Sequence, residues 1–298
     1  MNMKRILTII AVTATLMSCQ KEGRTDLPVQ DDGQIRFEMG MASTKASATS
    51  FESGDEVALY AVEYASAEAP ELQIAGNYLN NERLTYDGTS WSAANTLYWS
   101  DVACDFYAIY PYMDLTSVDE HYFEIAADQN TAETSEALGG YEASDLLWAK
   151  DENVSRTEDS SVNLQFKHMM SKCIVTVTKG EKFEGEIPDD IVCHIYNTTT
   201  SAKLNFAKGS IEKDASGARK TITMKKISDE RFEAVVVPQN IERRTPLIEV
   251  TMGGIAYLLE YSLSFKPGYA HTINLILNTS PDQEKIEISI DAGTGEWN

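Results

Sequence analysis

The chain has 298 residues, a formal net charge of −21 and 43% hydrophobic residues. This hydrophobic content excludes a disordered chain, and the length is enough for two ordinary domains. The excess of acidic residues argues against binding to nucleic acid or to an anionic lipid surface, because both require a positively charged patch.

The first residues have the layout of a secretory signal. Lys4 and Arg5 stand before an uncharged, mostly apolar run at 6–17. A run of this length is too short to span a membrane, whereas a basic start followed by a short apolar segment is typical of an export signal. We therefore predict a signal peptide at 1–18.

The end of this signal predicts lipidation. Leu16-Met-Ser-Cys19 looks like a lipobox, in which the cysteine thiol is acylated and the signal is cut before it. Two or more acyl chains anchor a protein stably, so we expect Cys19 to hold the mature chain to outer-membrane lipid. The polar residues 19–33 are expected to form a flexible tether. The alternative is an ordinary signal peptide that happens to contain a cysteine.

Apolar and polar residues alternate through the rest of the chain, and long helical periods are absent from the sequence. In the first such run Ile35, Phe37, Met39 and Met41 alternate with polar neighbours. Many short strands separated by turn signals favour an all-β fold of antiparallel sandwiches. The predicted strands are 35–41, 57–62, 97–99, 103–112, 122–125, 162–166, 173–178, 191–196, 203–206, 221–224, 232–237, 247–252, 256–264, 271–277 and 286–290.

Polar stretches between these runs suggest the domain organisation. Residues 128–144 are expected to form a long loop with a helical turn, and the acidic stretch 150–161 is interpreted as a linker. We place a domain boundary there, which predicts one β-domain at 34–160 and another at 161–298.

Three cysteines remain besides Cys19. Cys104, Cys173 and Cys193 each lie in an alternating apolar run, which predicts small buried thiols on the core face of strands. An exported protein could also join Cys173 to Cys193, although an odd number of cysteines argues against a dedicated disulfide framework.

The sequence offers little for catalysis or cofactor binding. His121, His168, His194 and His271 have no metal-like spacing, so we expect no metal and no cofactor. No nucleophile elbow, phosphate loop or dinucleotide motif occurs in the sequence. A pair of carboxylates at glycosidase separation stays open, because acidic residues are too many to judge by counting.

An aromatic run at 98–112 has two interpretations. Exposed Trp and Tyr side chains could stack on sugars. On a strand, however, Cys104, Phe106 and Tyr110 share one face while Tyr107 and Ile109 share the other. This pattern favours a strand that is covered on both sides near the junction of two cores.

Several motifs together resemble a known family. They are Phe51-Glu-Ser-Gly-Asp55, Leu84-Thr-Tyr-Asp-Gly88, Leu97-Tyr-Trp-Ser100, Asp105-Phe-Tyr-Ala-Ile-Tyr-Pro-Tyr112, Asp128-Gln129, Ser144-Asp-Leu-Leu-Trp-Ala149 and Val162-Asn-Leu-Gln-Phe-Lys-His168. Their order and spacing behind a lipobox are similar to those of the fimbrillin-like (Mfa-like, FimA-type) lipoproteins of Bacteroidales. The resemblance runs from about residue 51 to 178 and continues more thinly beyond.

The resemblance implies two tandem transthyretin-like Greek-key β-sandwich domains and a role in type V pili. In such pili the subunits are exported as lipoproteins. A trypsin-like protease trims polymerising subunits in the loop after the first strand, and a donor strand from a neighbour fills the vacated groove. Other pilus subunits, a host or bacterial surface ligand and outer-membrane lipid are the partners that the resemblance implies.

On this chain, the implied displaced strand holds Ile35, Phe37, Met39 and Met41. The implied cut lies between Lys45 and Ala46, which would release both lipid and strand into the free, fimbrial form. The implied donor strand holds Ile286, Ile288 and Ile290. The alternatives are an exposed loop lysine at 45 and an ordinary last strand at 286–290. Without a cut the lipid stays, and the chain is an anchor or accessory subunit.

We therefore expect a structural or adhesive surface subunit that is not an enzyme. A surface glycan-binding lipoprotein is the first alternative, and a glycan-processing enzyme is the second. An exposed row of aromatic side chains would favour the first, whereas two converging buried carboxylates in a cleft would favour the second.

Overall fold

The computed structural model describes residues 33–42, 51–68, 71–157, 161–278 and 288–297, and buried side chains recur at every second position along several of its strands. In Val162–His168, for example, every second side chain is buried and those between are exposed. A strand with this pattern covers a core with one face and meets solvent with the other. Strands dominate the described residues, so the prediction of an all-β sandwich protein is confirmed.

The strands, numbered in chain order, are β1 Phe37–Met41, β2 Glu56–Glu63, β3 Leu79–Tyr86, β4 Trp91–Ala93, β5 Cys104–Tyr110, β6 His121–Glu124, β7 Leu147–Val154, β8 Val162–His168, β9 Ser171–Lys179, β10 Val192–Thr199, β11 Ser201–Asn205, β12 Ser210–Lys213, β13 Arg219–Thr223, β14 Lys225–Ser228, β15 Arg231–Val236, β16 Asn240–Ile241, β17 Pro246–Met252, β18 Ile255–Glu260, β19 Leu263–Ser264, β20 Tyr269–Leu277 and β21 Ile288–Glu296. A 3-10 turn at Glu142–Ser144 lies in the loop for which the sequence predicts a helical turn. In the part of the chain described here, no helix is long and apolar enough to cross a membrane.

The largest sheet has seven strands in the order β1-β8-β7-β5-β2-β3-β4. Neighbouring strands in this sheet run antiparallel except for β1, which pairs in parallel with β8. Because β1 comes first in this order, it forms one edge of the sheet.

Four smaller sheets complete the fold. A five-stranded sheet has the order β14-β15-β9-β20-β21, and a four-stranded sheet has the order β13-β10-β17-β18. The order β12-β11-β6 forms a third sheet, and β16 with β19 forms a fourth. In the five-stranded sheet β9 and β20 run parallel, and β21 pairs antiparallel with β20 at the edge.

Two apolar cores share strands β2 and β5. The first core contains Leu59 and Phe106 together with the inward side chains of β8. The second core contains Tyr60 and Tyr107 and continues into the smaller sheets, where Phe206 lies 5.3 Å from the Tyr60 ring. Every residue of β5 is buried, so the prediction of a strand covered on both sides is confirmed.

The division into domains at 34–160 and 161–298 stays a prediction. The strand pairing crosses this position in both directions. Strand β8 lies beyond residue 160 but pairs with β7 and β1, whereas β6 lies before it and pairs with β11. Residues 33–298 cluster as one compact unit by their contacts.

Two local predictions are wrong. Residues 97–99 do not form a strand, because Tyr98 makes only an isolated bridge to Gln34. The expected linker at 150–161 begins instead as part of β7. Polar β3 and β7 and short β4 are absent from the predicted strands, because cross-strand pairing rather than alternation holds them in the sheet.

Candidate functional site

Strand β1 pairs with β8 alone, as far as the described residues show. The register runs from Phe37 opposite Val162 to Met41 opposite Phe166. One further hydrogen bond extends the pairing, because the Ala42 N–H donates to the Phe166 carbonyl over 2.7 Å. An edge strand held on one side can leave a sheet without breaking any other strand pair.

The side chains of β1 cover the first core. Phe37, Met39 and Met41 are partly buried and pack against that core. Leu164 and Phe166 of the neighbouring β8 have no solvent exposure. Removal of β1 would therefore expose both an apolar surface and a free row of backbone hydrogen-bonding groups.

Ile35 belongs to the same covering segment but lies just before β1. Its side chain is buried in the first core, and its N–H donates to the Leu97 carbonyl over 2.9 Å. The strand itself begins at Phe37, two residues later than the predicted range 35–41. Backbone hydrogen bonds to residues 97–99 thus hold the segment that precedes β1.

A cavity of about 490 Å³ opens at the end of β1. Met41, Phe51, Leu138 and Leu147 supply apolar walls. The polar walls are acidic, and lysine and arginine are missing from the described residues that line it. The carboxylates are Glu52, Asp55, Glu133, Glu142 and Asp145.

Two tyrosines beside this cavity have raised pKa values. The Tyr110 hydroxyl donates to Asp55 Oδ1 over 3.0 Å, and its burial together with the Asp55 charge raises its pKa. Burial and the nearby Glu233 carboxylate raise the pKa of Tyr141 in the same way. Both hydroxyls therefore stay protonated at neutral pH and act as hydrogen-bond donors rather than as bases.

His168 closes one side of the same cavity. Its Nδ1 lies 2.8 Å from Asp145 Oδ1, which joins two of the motifs that carry the family resemblance. The histidine is buried, and its ring stacks on Trp297 with centroids 3.8 Å apart and planes 8° apart. The sequence analysis does not predict this contact between His168 and Trp297, because no pattern in the sequence points to Trp297.

Strand β21 holds two of the predicted donor residues. Ile288 and Ile290 are partly buried against the second core, and Ile288 lies opposite Leu277 of β20. The arrangement seen here is therefore that of an ordinary last strand at a sheet edge, which is one of the two interpretations of the sequence. The third predicted donor residue, Ile286, lies outside the described residues.

Several other predicted site residues also lie outside the described residues. They are Cys19, Lys45 and Ala46. The described residues nearest to Lys45 on either side are Ala42 and Phe51, and Phe51 lines the cavity beside Met41. Lipidation and processing therefore stay predictions.

Cys104, Cys173 and Cys193 are buried free thiols, as the alternation of the strands predicts, and the alternative bridge between Cys173 and Cys193 does not form. Burial raises the pKa of the Cys173 thiol to about 12. A protonated, buried thiol is a poor nucleophile and a poor metal ligand. These cysteines therefore serve as small packing residues.

The four histidines lie in separate places. His121 Nδ1 accepts the Thr116 N–H over 3.1 Å, His194 Nδ1 lies 3.4 Å from Glu249, and His271 Nε2 accepts a backbone N–H over 3.2 Å. Burial lowers the pKa of His121 and of His271. Among the described residues, no three His, Cys, Asp or Glu side chains are grouped to hold a metal ion.

A buried carboxylate in the larger sheet has a structural explanation. Asp105 is 1% exposed, and it accepts the Tyr64 hydroxyl over 2.9 Å and the Asn153 N–H over 2.8 Å. Lys150 Nζ lies 3.2 Å from its other oxygen. With these partners its lone pairs are occupied, so this group offers no free base for hydrolysis.

The aromatic run does not form a sugar-stacking surface along β5. Phe106, Tyr107 and Tyr110 are all buried. Tyr98 is 53% exposed, but it lies outside β5 in the segment that bridges to Gln34. The run therefore builds the two cores, as the alternation of its side chains predicts.

These features define a β-sandwich protein whose first and last described strands both lie at sheet edges. Such a protein can pair its strands with those of another chain, because free edges form backbone hydrogen bonds. A model of the fimbrillin-like family matches residues 44–297, which is most of the chain. The chain belongs to the fimbrillin-like family.

Solved structures agree with this fold. A candidate cell adhesion protein from Bacteroides uniformis is similar, with a TM-score of 0.66 at 21% identity, over 90% of this chain and 100% of that chain. Another, from Bacteroides ovatus, has a TM-score of 0.65 at 15% identity, over 89% and 97%. A fimbrial protein from Bacteroides ovatus has a TM-score of 0.52 at 16% identity, over 84% of this chain and 51% of that chain. Comparison with curated protein sequences gives no match.

Proposed function

We propose that this chain is a structural or adhesive subunit of a type V pilus, assembled by exchange of β-strands between subunits and without enzymatic activity. The observation that carries the proposal is β1, an apolar edge strand that pairs with β8 alone among the described strands and covers a core. Membership in the fimbrillin-like family supports it. A role at the cell surface also agrees with the similarity to cell adhesion and fimbrial proteins.

The proposed exchange uses the place that β1 occupies. Loss of β1 leaves the β8 edge unpaired, and an incoming strand restores the backbone hydrogen bonds. To cover the core again, that strand needs apolar side chains at every second position, as Phe37, Met39 and Met41 provide. The spacing of Ile286, Ile288 and Ile290 meets this requirement, so we propose this segment as the donor.

The proposal includes lipidation and release. Cys19 holds the exported chain in the outer membrane, and the subunit reaches the cell surface as a lipoprotein. A cut between Lys45 and Ala46 then removes the lipid and β1 together, because both precede the cut. If the cut does not take place, the chain keeps its lipid and serves as an anchor or accessory subunit.

Limited proteolysis tests the polymerising version. We expect catalytic amounts of trypsin to cut the purified mature chain after Lys45 and to produce a ladder of oligomers on denaturation-resistant gels. Lys45→Gln should abolish both the cut and the ladder, whereas Lys182→Gln, which replaces an exposed lysine elsewhere, should change neither. Mass spectrometry of the fragments identifies the cut.

A chain that trypsin cuts at Lys45 but that stays monomeric would contradict assembly by exchange of β1. A chain that resists trypsin at Lys45 would leave the anchor and accessory versions. Mass spectrometry of the chain purified from membranes distinguishes these from an unlipidated protein, because three acyl chains on Cys19 add a large and defined mass.

A further inference from the structure

The last described residue of the chain makes an anchoring contact. Trp297 directly follows β21 and is 8% exposed. Its indole stacks on the His168 ring at 3.8 Å, and the backbone N–H of Trp297 donates to the Gly268 carbonyl over 2.9 Å. Lys172 Nζ lies 5.8 Å from the indole centroid. A buried Trp contributes more contact area than any other side chain type.

The strand that leads to this tryptophan is otherwise held loosely by its side chains. Ile288 and Ile290 are partly buried, but the side chains of 291–296 are exposed. Gly293 and Gly295 have no side chain to pack, and one polar contact joins Thr294 Oγ1 to His271 Nδ1 over 3.2 Å. Glycine in a strand interior weakens the strand, so the end of β21 depends on Trp297.

The surface that receives Trp297 is itself held in place. His168 is the final residue of β8, and Asp145 Oδ1 fixes its ring through Nδ1 at 2.8 Å. The Gly268 N–H donates to the Met170 carbonyl over 2.8 Å, which ties the turn before β20 to the connection between β8 and β9. A fixed ring and a fixed carbonyl thus form a socket for the tryptophan.

The socket also connects the two strands that lie at sheet edges. Strand β8 pairs with β1 through Phe166, two residues before His168. Trp297 belongs to the segment that follows β20 in the other sheet. The stacked rings of Trp297 and His168 therefore connect the end of β21 to β8, the strand that pairs with β1.

We propose that Trp297 is a latch that holds β21 in its own sheet and so keeps β21 from pairing with another chain. The significance of the latch rests on the proposed strand exchange, in which the segment with Ile288 and Ile290 is donated. Opening the stack on His168 frees the exposed half of β21, and the strand can then separate from β20 starting from that end.

Hydrogen exchange of the full mature chain, followed by mass spectrometry, tests the latch without any assembly step. Trp297→Ala should raise the exchange rate of amides in β21 by about tenfold or more, while the central amides of β9, which does not pair with β21, keep their rates. His168→Ala should have the same local effect. Trp297→Phe keeps an aromatic ring on His168 and should restore most of the protection.

Tyr269→Ala is the matched control, because Tyr269 lies opposite Glu296 but is 37% exposed, and its ring centroid lies 5.9 Å from Lys266 Nζ. It should leave exchange in β21 within about twofold of the wild type. The latch is wrong if Trp297→Ala leaves β21 protected. It is also wrong if exchange rises equally in β9 and β21, because that result indicates a general loss of stability.

A second measurement separates the latch from the proposed function. After trypsin cleavage at Lys45, Trp297→Ala should form oligomer ladders faster than the wild type. If neither protein forms ladders while β21 exchange still rises locally in the variant, the pilus proposal fails and the latch holds. If ladders form at equal rates while β21 exchange rises, Trp297 anchors β21 in its own sheet. It then does not keep β21 from pairing with another chain, and that part of the proposal is wrong.

Discussion

The two edge strands β1 and β21 are held in different ways. Strand β1 has five residues, and partly buried apolar side chains recur along it over the first core. Strand β21 has nine residues and a longer backbone register, but all six of its residues from Asp291 onward are exposed, and two of these are glycines. The comparison teaches that strand length does not measure how firmly an edge strand is held, because apolar burial contributes more than pairing alone.

The largest expected effect lies under β1. Phe166 is fully buried in the first core, opposite Met41 and 5.2 Å from the Phe51 ring. Phe166→Ala should lower the free energy of unfolding by about 3–5 kcal/mol, because it removes a large buried side chain and leaves a cavity. Urea denaturation measures this. Gln165→Ala, at an exposed position of the same strand, should change it by less than about 0.5 kcal/mol.

The next effect lies in β1 itself. Met39→Ala should cost about 1–2 kcal/mol, which is below the range for a fully buried methionine, since Met39 is only partly buried. The corresponding change in β21, Asp291→Ala at an exposed position, should stay within about 0.5 kcal/mol. Both are measured by urea denaturation at pH 7. Equal losses in the two strands would contradict the difference in how they are held.

A smaller effect belongs to the apolar start of β21. Ile290→Ala should lower the free energy of unfolding by about 1 kcal/mol, because the side chain is partly buried against the second core. Ser289→Ala, on the opposite face of the strand, serves as the control and should be close to neutral. A neutral Ile290→Ala would show that Trp297 alone anchors this strand.

The smallest effect concerns pH. Burial alone would raise the pKa of Glu233, but Lys172, at 2.6 Å, and Arg231 overcome this and hold the pKa below the usual value of a glutamate. A carboxylate whose pKa is lower in the folded state than in the unfolded state stabilises the fold at pH values above its unfolded-state pKa. This stabilisation is lost as the pH falls through the folded-state pKa. Glu233 lies in the sheet of β21, so acid should weaken that sheet.

Urea denaturation at pH 7 and at pH values below 4.5 checks this. Glu233→Gln should lose roughly 1 kcal/mol or less at pH 7, since Arg231 is partly solvated, and it should reduce the loss of stability on acidification. Glu212→Gln, which changes an exposed acid in β12, should leave the pH dependence as in the wild type. An unchanged acid response in Glu233→Gln would show that other carboxylates govern it.

Much of the fold follows from alternation in the sequence. The runs at 103–112, 162–166 and 173–178 become β5, β8 and β9, and the double coverage of β5 is read correctly from which residues share a face. Strands β3 and β7 are missed because at least half of the side chains in each are polar and partly or fully exposed, so no alternating pattern marks them. Pairing with β2 and β5 determines them instead.

The candidate site was predictable in part. Phe37, Met39 and Met41 form a strand within the predicted range 35–41, and His168 contacts Asp145, which belongs to another motif of the family resemblance. Trp297 was not predictable, because its partner His168 is distant in sequence and no spacing rule connects them. Cys19, Lys45, Ala46 and Ile286 stay predictions that the described residues do not address.

The sequence by itself determined the strands in which apolar and polar residues alternate, which of their faces are apolar and which cysteines are packed inside. These properties depend on side-chain alternation, which each strand carries locally. Only the tertiary structure decided that β1 runs parallel to β8 at a sheet edge, and that Trp297, directly after the edge strand β21 of another sheet, stacks on His168. Alternation states which face is buried but not which strand lies beside it, because backbone hydrogen bonds are the same for every partner.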